Sequence, residues 1–321
     1  MNICVIIVAI IIIFEKGERL LKKTVWISGS VLVIVCLIFF YLKGINATKV
    51  KPVFNQHNIA YNSLSSSQKL DILYPKNMPE ARPVVVFLHG GSYFYGDKSG
   101  YQKELGKLLN NNGYILVSLN YRLSGEMKYP GAVDDVKTAI RYLKKNAQEL
   151  LIDPNRIYLM GHSAGANLGS MVISTAGTEA LGNEPIKYPE YNSKVNGFIG
   201  ASGFYNLNTF LAANDSRNSK FSQRKIASYY NIDLNKIKPS VLVKENNVNY
   251  IKNIKIPIYL LHGYQDRIVS YLETVDYCQN LKFRSDDMDV KCEISQNDKH
   301  GIKRFFKHPQ DQKIISWLNN H

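Results

Sequence analysis

The stretch NRIYLMGHSAGANLGSM, residues 155–171, decides the fold of this chain. Its apolar run ends at Gly161 and a helical pattern follows Ser163, so the chain passes directly from a buried strand into a helix. Ser163 is the centre of a G-x-S-x-G sequence, and the glycines on either side remove side chains that would clash in a tight turn. The pattern predicts a turn that exposes the Ser163 hydroxyl at one edge of a sheet. A packing turn without chemistry is the alternative.

The rest of the chain alternates apolar strands with helices. Strand patterns follow in the order KLDILYP (69–75), PVVVFLHG (83–90), YILVSLNYR (114–122), KVNGFIGASGF (194–204), IPIYLLHGYQD (256–266) and VKCEIS (290–295). Helical patterns cover residues 101–112 and 133–150. We therefore predict an α/β fold with a mostly parallel central sheet and helices on both faces, in which the first strand is half-exposed and antiparallel. Residues 205–255 are polar and interrupt this alternation, which indicates a small lid insertion.

A serine hydroxyl needs a base to act as a nucleophile, and the base needs an acid to orient it. In a strand–turn–helix context of this kind the expected chain order is serine, acid, histidine. The loop LLHGYQDRIVS supplies Asp266 after one buried strand, and the loop SQNDKHGIKRFF supplies His300 after the last strand. We predict that Ser163, Asp266 and His300 are catalytic, with Asp298 as a minor rival for the acid.

The other histidines are weaker candidates for the base. His162 is expected to point away along the turn, whereas His89 and His262 lie before functional loops and are interpreted as structural.

The sequence HGGSYFYGDKS (89–99) follows the first buried strand of the core. Attack on an ester creates an oxyanion that needs preorganised N–H donors. Glycines let this loop approach closely, so Gly91 and Ser92 are predicted to form the oxyanion hole together with Ala164. Four aromatic residues follow strand ends at this edge: Tyr93, Phe94, Tyr95 and Tyr205. They are open to two interpretations, since they can line the substrate pocket or pack against the lid.

These motifs resemble those of the α/β-hydrolase superfamily, esterase/lipase group. The chain is most similar to the hormone-sensitive-lipase-like carboxylesterases and to the acetyl-xylan and feruloyl esterase (BD-FAE) type. The resemblance covers residues 69–320 through LDILYP, HGGSYFYGDK, SLNYRL, YPGAVDDVKTAIRYL, DPNRIYLMGHSAGANL, HGYQD and KHG. It implies the α/β-hydrolase fold and a serine esterase without a cofactor. Many relatives have a third glycine where this chain has Ser92, a change that preserves backbone donation.

The N-terminal region is predicted to be an anchor rather than part of the fold. Residues 3–14 are apolar but too short to span a bilayer, whereas residues 24–42 are long enough and follow two lysines. We predict a signal-anchor and tether over residues 1–50 and a catalytic domain over 51–321 outside the cytoplasm. Cleavage of the segment, which would give a secreted enzyme, is the alternative. A translation start near Leu20 is a further hypothesis.

Composition excludes some classes of function. The formal net charge is +14, which favours anionic lipid or wall polymers as neighbours, or simply gives a solubilising surface. The scattered lysines and the lack of a nucleic-acid-binding signature argue against nucleic acid. The four cysteines form no metal-binding pattern. A Cys278–Cys292 disulfide is conceivable outside the cell, but buried free thiols are the favoured interpretation.

The sequence therefore predicts a serine carboxylic-ester hydrolase acting through an acyl-enzyme on a small-molecule or acylated-carbohydrate ester. It implies no metal and no organic cofactor. Two alternatives stay open: an arylformamidase- or amidase-like hydrolase on the same scaffold, and a catalytically silent domain that only binds.

Overall fold

A mixed eight-stranded sheet runs through the part of the chain described in this computed structural model. The description covers residues 55–76, 78, 80–177, 181–213, 219–236, 246–284 and 288–321. These residues belong to one unit, Pro52–His321. The predicted anchor and tether, including the apolar runs 3–14 and 24–42, lie outside the described residues. Of the helices within them, none has the length and apolar character needed to cross a bilayer.

The strands are short and mostly apolar. Their bounds are β1 Gln56–Ala60, β2 Lys69–Leu73, β3 Arg82–Leu88, β4 Ile115–Leu119, β5 Ile152–His162, β6 Gly197–Ala201, β7 Ile258–Gly263 and β8 Val290–Ser295. Their order in the sheet is β1-β2-β4-β3-β5-β6-β7-β8. The β1–β2 and β2–β4 pairs are antiparallel and the others are parallel. The carboxyl ends of β3 to β8 therefore meet at one edge, which is where the loops that carry the candidate site begin.

The helices cover both faces of this sheet. Their bounds are α1 Gln102–Asn111, α2 Gly131–Lys145, α3 Ala164–Ser174, α4 Leu207–Ala212, α5 Lys220–Tyr229, α6 Leu272–Arg284 and α7 Gln310–Asn320. Successive side chains of β3 enter different cores: Val84 and Val86 belong to one apolar cluster, and Val85 and Phe87 to the other. Burial on both sides explains why β3 is a continuous apolar run rather than an alternating one.

The first strands differ from the prediction. β2 pairs antiparallel with β4 as expected, but it is buried rather than half-exposed. Its polar residue Asp71 lies 3% exposed and binds the Lys98 ammonium at 2.9 Å. The alternation of polar and apolar residues in this strand therefore arises because Asp71 faces a buried ion pair rather than solvent. Strand β1 was not predicted, since its sequence QHNIA has little apolar patterning.

The insertion over residues 205–255 contains two helices, α4 and α5, and 3₁₀ turns at Leu234–Lys236 and Asn247–Asn253 in its described parts. Tyr93 lies in the predicted oxyanion loop, residues 89–99. The Tyr229 ring of helix α5 stacks on the Tyr93 ring, with the two ring centroids 4.0 Å apart. The Tyr93 hydroxyl donates to Asn167 on helix α3 at 2.6 Å. The insertion is therefore fixed to the same helix that follows Ser163.

Cys278 on helix α6 and Cys292 on strand β8 form a disulfide, with Cα atoms 6.5 Å apart. The interpretation of these residues as free thiols is wrong. Their separation of 14 residues in sequence left the pairing open, because only the packing of α6 against β8 brings the two side chains together.

Candidate active site

Ser163 lies at the junction between β5 and α3. Its backbone has φ 56° and ψ −120°, a conformation that costs most non-glycine residues free energy. Its N–H donates to the Ala201 carbonyl at 2.9 Å, which ties the turn to the end of β6. The side chain is only 7% exposed. The fold thus holds this serine in a strained turn at the carboxyl edge of the sheet, as the motif predicts.

The glycines that flank Ser163 are required by close backbone contacts. A Cβ on Gly161 would lie 2.2 Å from the Gly165 carbonyl oxygen, and a Cβ on Gly165 would lie 2.2 Å from the Leu88 carbonyl oxygen. Both distances are far below van der Waals contact. Any side chain at these positions would push helix α3 away from the sheet and move the Ser163 hydroxyl.

His300 and Asp266 meet Ser163 from two separate loops. The Nε2 atom of His300 lies 3.1 Å from Ser163 Oγ, and its Nδ1 atom lies 2.7 Å from Asp266 Oδ2. A ring nitrogen that faces a carboxylate carries the proton, so Nδ1–H donates to Asp266 and the Nε2 lone pair is free to accept the serine proton. The three residues predicted from sequence therefore form one continuous hydrogen-bonded chain.

The Asp266 carboxylate is 3% exposed and fully hydrogen-bonded. Its Oδ1 atom accepts the backbone N–H groups of Ile268 and Val269 at 2.8 and 2.9 Å. Burial by itself would raise the pKa of this carboxyl, but the hydrogen bonds from His262 and His300 hold the pKa well below its usual range. Asp266 is thus kept ionised and rigid beside His300.

His262 is the residue that sequence reasoning underrated. Its Nε2 atom lies 3.0 Å from Asp266 Oδ2 and 3.1 Å from the Val269 carbonyl, and its Nδ1 atom lies 2.7 Å from the Thr274 hydroxyl. Two acceptors at Nε2 mean that Nε2 carries the proton and that Thr274 donates to Nδ1. The signal was present in HGYQD, which puts His262 at the end of β7, four residues before Asp266. The interpretation of His262 as a structural residue is correct but incomplete, because the group that His262 holds in place is the Asp266 carboxylate.

His162 does not point away from the site. Its ring centroid lies 5.2 Å from that of His300, and its Nε2 atom has no hydrogen-bond partner in the described part of the chain. Burial and the nearby His300 lower the pKa of His162 to about 3. It is therefore a neutral ring that packs against the candidate base. The prediction that His162 points away along the turn is therefore wrong.

The predicted oxyanion donors belong to two segments that adjoin Ser163, the loop after β3 and the first residue of helix α3. A Cβ on Gly90 would lie 3.0 Å from Ser163 Cβ, so the loop after β3 passes directly over the serine. Gly91 has φ 120°, and a Cβ there would lie 1.9 Å from the Tyr95 carbonyl oxygen. Within the described ranges, the N–H groups of Gly91, Ser92 and Ala164 donate to no protein acceptor. Unpaired N–H groups beside a serine can stabilise a developing negative charge.

The four aromatic residues divide into two kinds. Tyr93 and Tyr205 are buried and stack on Tyr229 and Tyr277, so they pack rather than line an open pocket. Phe94 and Tyr95 are 45% and 56% exposed.

His89 stacks on Tyr121 with ring centroids 4.4 Å apart, and the Tyr121 hydroxyl donates to the His89 carbonyl at 2.7 Å. These contacts fix the start of the predicted oxyanion loop, residues 89–99. Across the described ranges, no three His, Cys, Asp or Glu side chains come together as a metal-binding group.

Comparison with known proteins agrees with this geometry. Isoprenylcysteine alpha-carbonyl methylesterase of Arabidopsis thaliana is 29% identical over 214 residues, which is 67% of this chain and 49% of that protein. Esterase LipC of Mycobacterium tuberculosis is 25% identical, over 67% of this chain and 52% of that protein. The chain thus spans about half the length of these relatives.

A truncated carbohydrate esterase from gut microbiota superposes with a TM-score of 0.71 at 23% identity, covering 85% of this chain and 98% of that one. This likeness shows the α/β-hydrolase fold, with the mostly parallel sheet predicted from the sequence.

A comparison with protein families matches residues 70–281 to the family described as BD-FAE. That range is well over half of the chain and contains Ser163, Asp266 and the oxyanion loop. The resemblance drawn from the motifs is confirmed: the chain belongs to the BD-FAE family of α/β-hydrolases.

Proposed function

We propose that the chain is a serine carboxylesterase. The observation that carries the proposal is the continuous contact from Ser163 through His300 to Asp266, with the loop after β3 passing directly over the serine. The esterase names of the relatives and of the structural neighbour support the same reaction class.

In the proposed mechanism, His300 Nε2 takes the Ser163 proton as Oγ attacks the acyl carbonyl carbon. The N–H groups of Gly91, Ser92 and Ala164 stabilise the oxyanion. His300 then gives the proton to the departing alcohol oxygen, which leaves an acyl-enzyme. A water that gives one proton to His300 attacks the acyl carbon of this ester, and His300 returns that proton to Ser163 Oγ as the carboxylic acid leaves. Asp266 orients the imidazole and stabilises its protonated form.

A small-molecule or acylated-carbohydrate ester is the proposed substrate, and the neighbour named as a carbohydrate esterase supports the second of these. An arylformamidase- or amidase-like reaction on the same scaffold would use the same groups. The first test is therefore a panel of acetyl, butyryl and feruloyl esters together with N-formylkynurenine and simple anilides. Turnover of the amides but not the esters would replace the proposed reaction by its alternative.

The decisive variant is Ser163→Ala, because it removes one hydroxyl and leaves the turn intact. We expect loss of ester hydrolysis and of covalent labelling by a fluorophosphonate, with an unchanged far-UV spectrum. Wild-type protein that neither labels nor hydrolyses any ester would favour a silent binding domain. Retention of more than a few per cent of wild-type kcat by pure Ser163→Ala would refute the role of this serine.

Residues 24–42 are proposed to anchor the catalytic domain, residues 51–321, on the outer side of the cell membrane, with residues 205–255 acting as a lid. The two lysines before the apolar run support this orientation. The Cys278–Cys292 disulfide supports it too, since disulfides persist in oxidising compartments. We expect the native protein to stay with membranes in high salt and to be digested by protease added to intact protoplasts. A protected domain would contradict the orientation.

A further inference from the structure

A groove of about 560 Å³ opens beside His300. It is lined by the loop after β7, residues 264–268, and by Lys299 and His300 from the loop after β8. Its volume lies within the range of small-molecule sites. Since both loops also carry candidate catalytic residues, anything that occupies the groove lies against the base.

Two cations line this groove, Arg267 and Lys299. Both are exposed, and in the described part of the chain neither makes an ion pair or a side-chain hydrogen bond. The carboxylate in the lining, Asp266, is buried and accepts hydrogen bonds from two histidines and two backbone N–H groups. The only carboxylate among the described residues that line the groove is thus buried and already hydrogen-bonded, and the two exposed cations of the groove do not pair with it.

Elsewhere on the surface, some cations do have acidic partners. Lys291 and Lys313, on a different part of the surface, both contact Glu293, at 3.4 and 3.0 Å. In the groove beside His300, Arg267 and Lys299 have no such partner among the described residues, and Lys299 directly precedes the base in sequence. Tyr264 adds a half-exposed ring, packed against Tyr271 with centroids 4.7 Å apart, as an apolar wall.

The position of His300 assigns the groove to one half of the ester. The base that accepts the serine proton must afterwards donate it to the departing alcohol oxygen, which therefore lies within hydrogen-bond reach of His300 Nε2. A group that extends from this alcohol oxygen past His300 would enter the groove that His300 lines.

Building on the proposed function, we propose that the alcohol portion of the substrate bears an anionic group, a carboxylate or a phosphate, held by Arg267 and Lys299. The cations lie at the groove wall and make charge-assisted hydrogen bonds to it. Tyr264 packs against the ring that carries the ester.

The experiment uses three aryl acetates that differ at the para position. 4-Acetoxybenzoate carries a carboxylate, 4-acetoxyphenyl phosphate carries a phosphate, and 4-acetoxybenzamide is a neutral analogue of similar shape. The quantity measured is kcat/KM for each anionic ester divided by that for the neutral amide, in wild type and in the double variant Arg267→Gln/Lys299→Gln. The ratio cancels any general effect of the substitutions on the neighbouring Asp266 and His300. Comparison of the carboxylate and phosphate ratios identifies the preferred anion.

We expect the double variant to lower the ratio by on the order of 10-fold, since each exposed ion pair contributes modestly. The wild-type ratio should also fall as ionic strength rises. Lys225→Gln is the matched control, because Lys225 lies over the Phe94 ring, with Nζ 3.4 Å from its centroid, and lines a different groove. Its ratio should equal that of wild type.

An equal ratio in wild type and the double variant, with normal hydrolysis of the neutral ester, would overturn this inference and leave the proposed function standing. Absence of hydrolysis of all three esters would instead refute the proposed function.

Discussion

The molecule contains two buried clusters built around a carboxylate, and they differ in the partners of that carboxylate. At the carboxyl edge of the sheet, Asp266 is held by His300 and His262 at 2.7 and 3.0 Å. Near the start of helix α2, Asp135 is 1% exposed and is held by Arg122 at 2.7 Å and by Gln68 at 2.6 Å. Both acids also accept a backbone N–H, so burial and hydrogen-bond number do not separate them.

The two clusters differ in the proton chemistry of the side chains that hold each carboxylate. A guanidinium keeps its charge at every physiological pH, whereas an imidazole can release and accept a proton. The carboxylates of Glu184 and Asp135 raise the pKa of Arg122 still further, so the guanidinium at the centre of that network stays charged. Asp135 therefore ties helix α2 to the chain after β4, whereas Asp266 can support a proton transfer. A buried acid becomes a candidate for catalysis through a partner that can titrate.

Replacement of Asp266 by Asn is expected to have the largest effect. The amide keeps the shape but favours the wrong tautomer of His300, so kcat should fall about 10⁴-fold, as in serine-protease triads. The measurement is kcat on a neutral aryl acetate, with the melting temperature as a check of folding. Asp298→Asn is the matched control in the loop of His300 and should cost no more than a few-fold. Equal losses in the two variants would mean that the acid is misassigned.

Asp135→Asn is expected to lower stability and leave kcat nearly unchanged, the reverse of Asp266→Asn. Removal of the charge leaves Arg122 buried with Glu184 as its remaining carboxylate, so the free energy of unfolding should fall by about 3 kcal/mol. The kcat per fluorophosphonate-labelled molecule should stay within a few-fold of wild type. Denaturant unfolding and active-site titration test both halves. A large loss of kcat in fully folded protein would remove the distinction between the two clusters.

His262 tests whether the acid needs its second histidine. His262→Leu removes the donor to Asp266 and should lower kcat by roughly 10- to 100-fold with little change in KM, because a hydrogen bond to a charged group contributes about 1.5–3 kcal/mol. In His262→Gln, the amide N–H reaches the same position and should restore most of the activity. Equal loss in the Leu and Gln variants would point to packing rather than to orientation of Asp266.

Glu184 gives the smallest expected effect and the pH dependence. Its hydrogen bond to Arg122 lowers the pKa of the Glu184 carboxyl, so its contribution is present above the unfolded pKa of about 4.3 and is lost as the pH falls through the folded value. The side chain is 31% exposed, which limits the contribution to below about 1 kcal/mol. The difference in unfolding free energy between wild type and Glu184→Gln should thus be measurable at pH 7 and shrink progressively as the solution is acidified. A difference that grows in acid would contradict this ionic account.

The sequence by itself determined the features that depend on local backbone sterics and periodicity. The turn at Ser163 follows from the glycines at 161 and 165, since a Cβ atom added to either one would lie 2.2 Å from a backbone oxygen. The parallel core follows from continuous apolar runs such as β3, and strand β8 has the predicted bounds, Val290–Ser295. The apolar runs and the glycine spacing are visible in the order of residue types itself, although the oxygen that a side chain on Gly165 would meet belongs to Leu88 on the neighbouring strand.

Only the tertiary structure decided which distant groups meet. His300 and Ser163 are 137 residues apart in sequence, and the chain order of motifs suggested their contact without showing its geometry. The contact of His162 with His300, the burial of Asp71 beside Lys98, and the Cys278–Cys292 disulfide were missed or misjudged. Each is set by how separate elements pack, because a side chain's partners, and with them its charge state, depend on distances in space that the local pattern of a single chain does not encode.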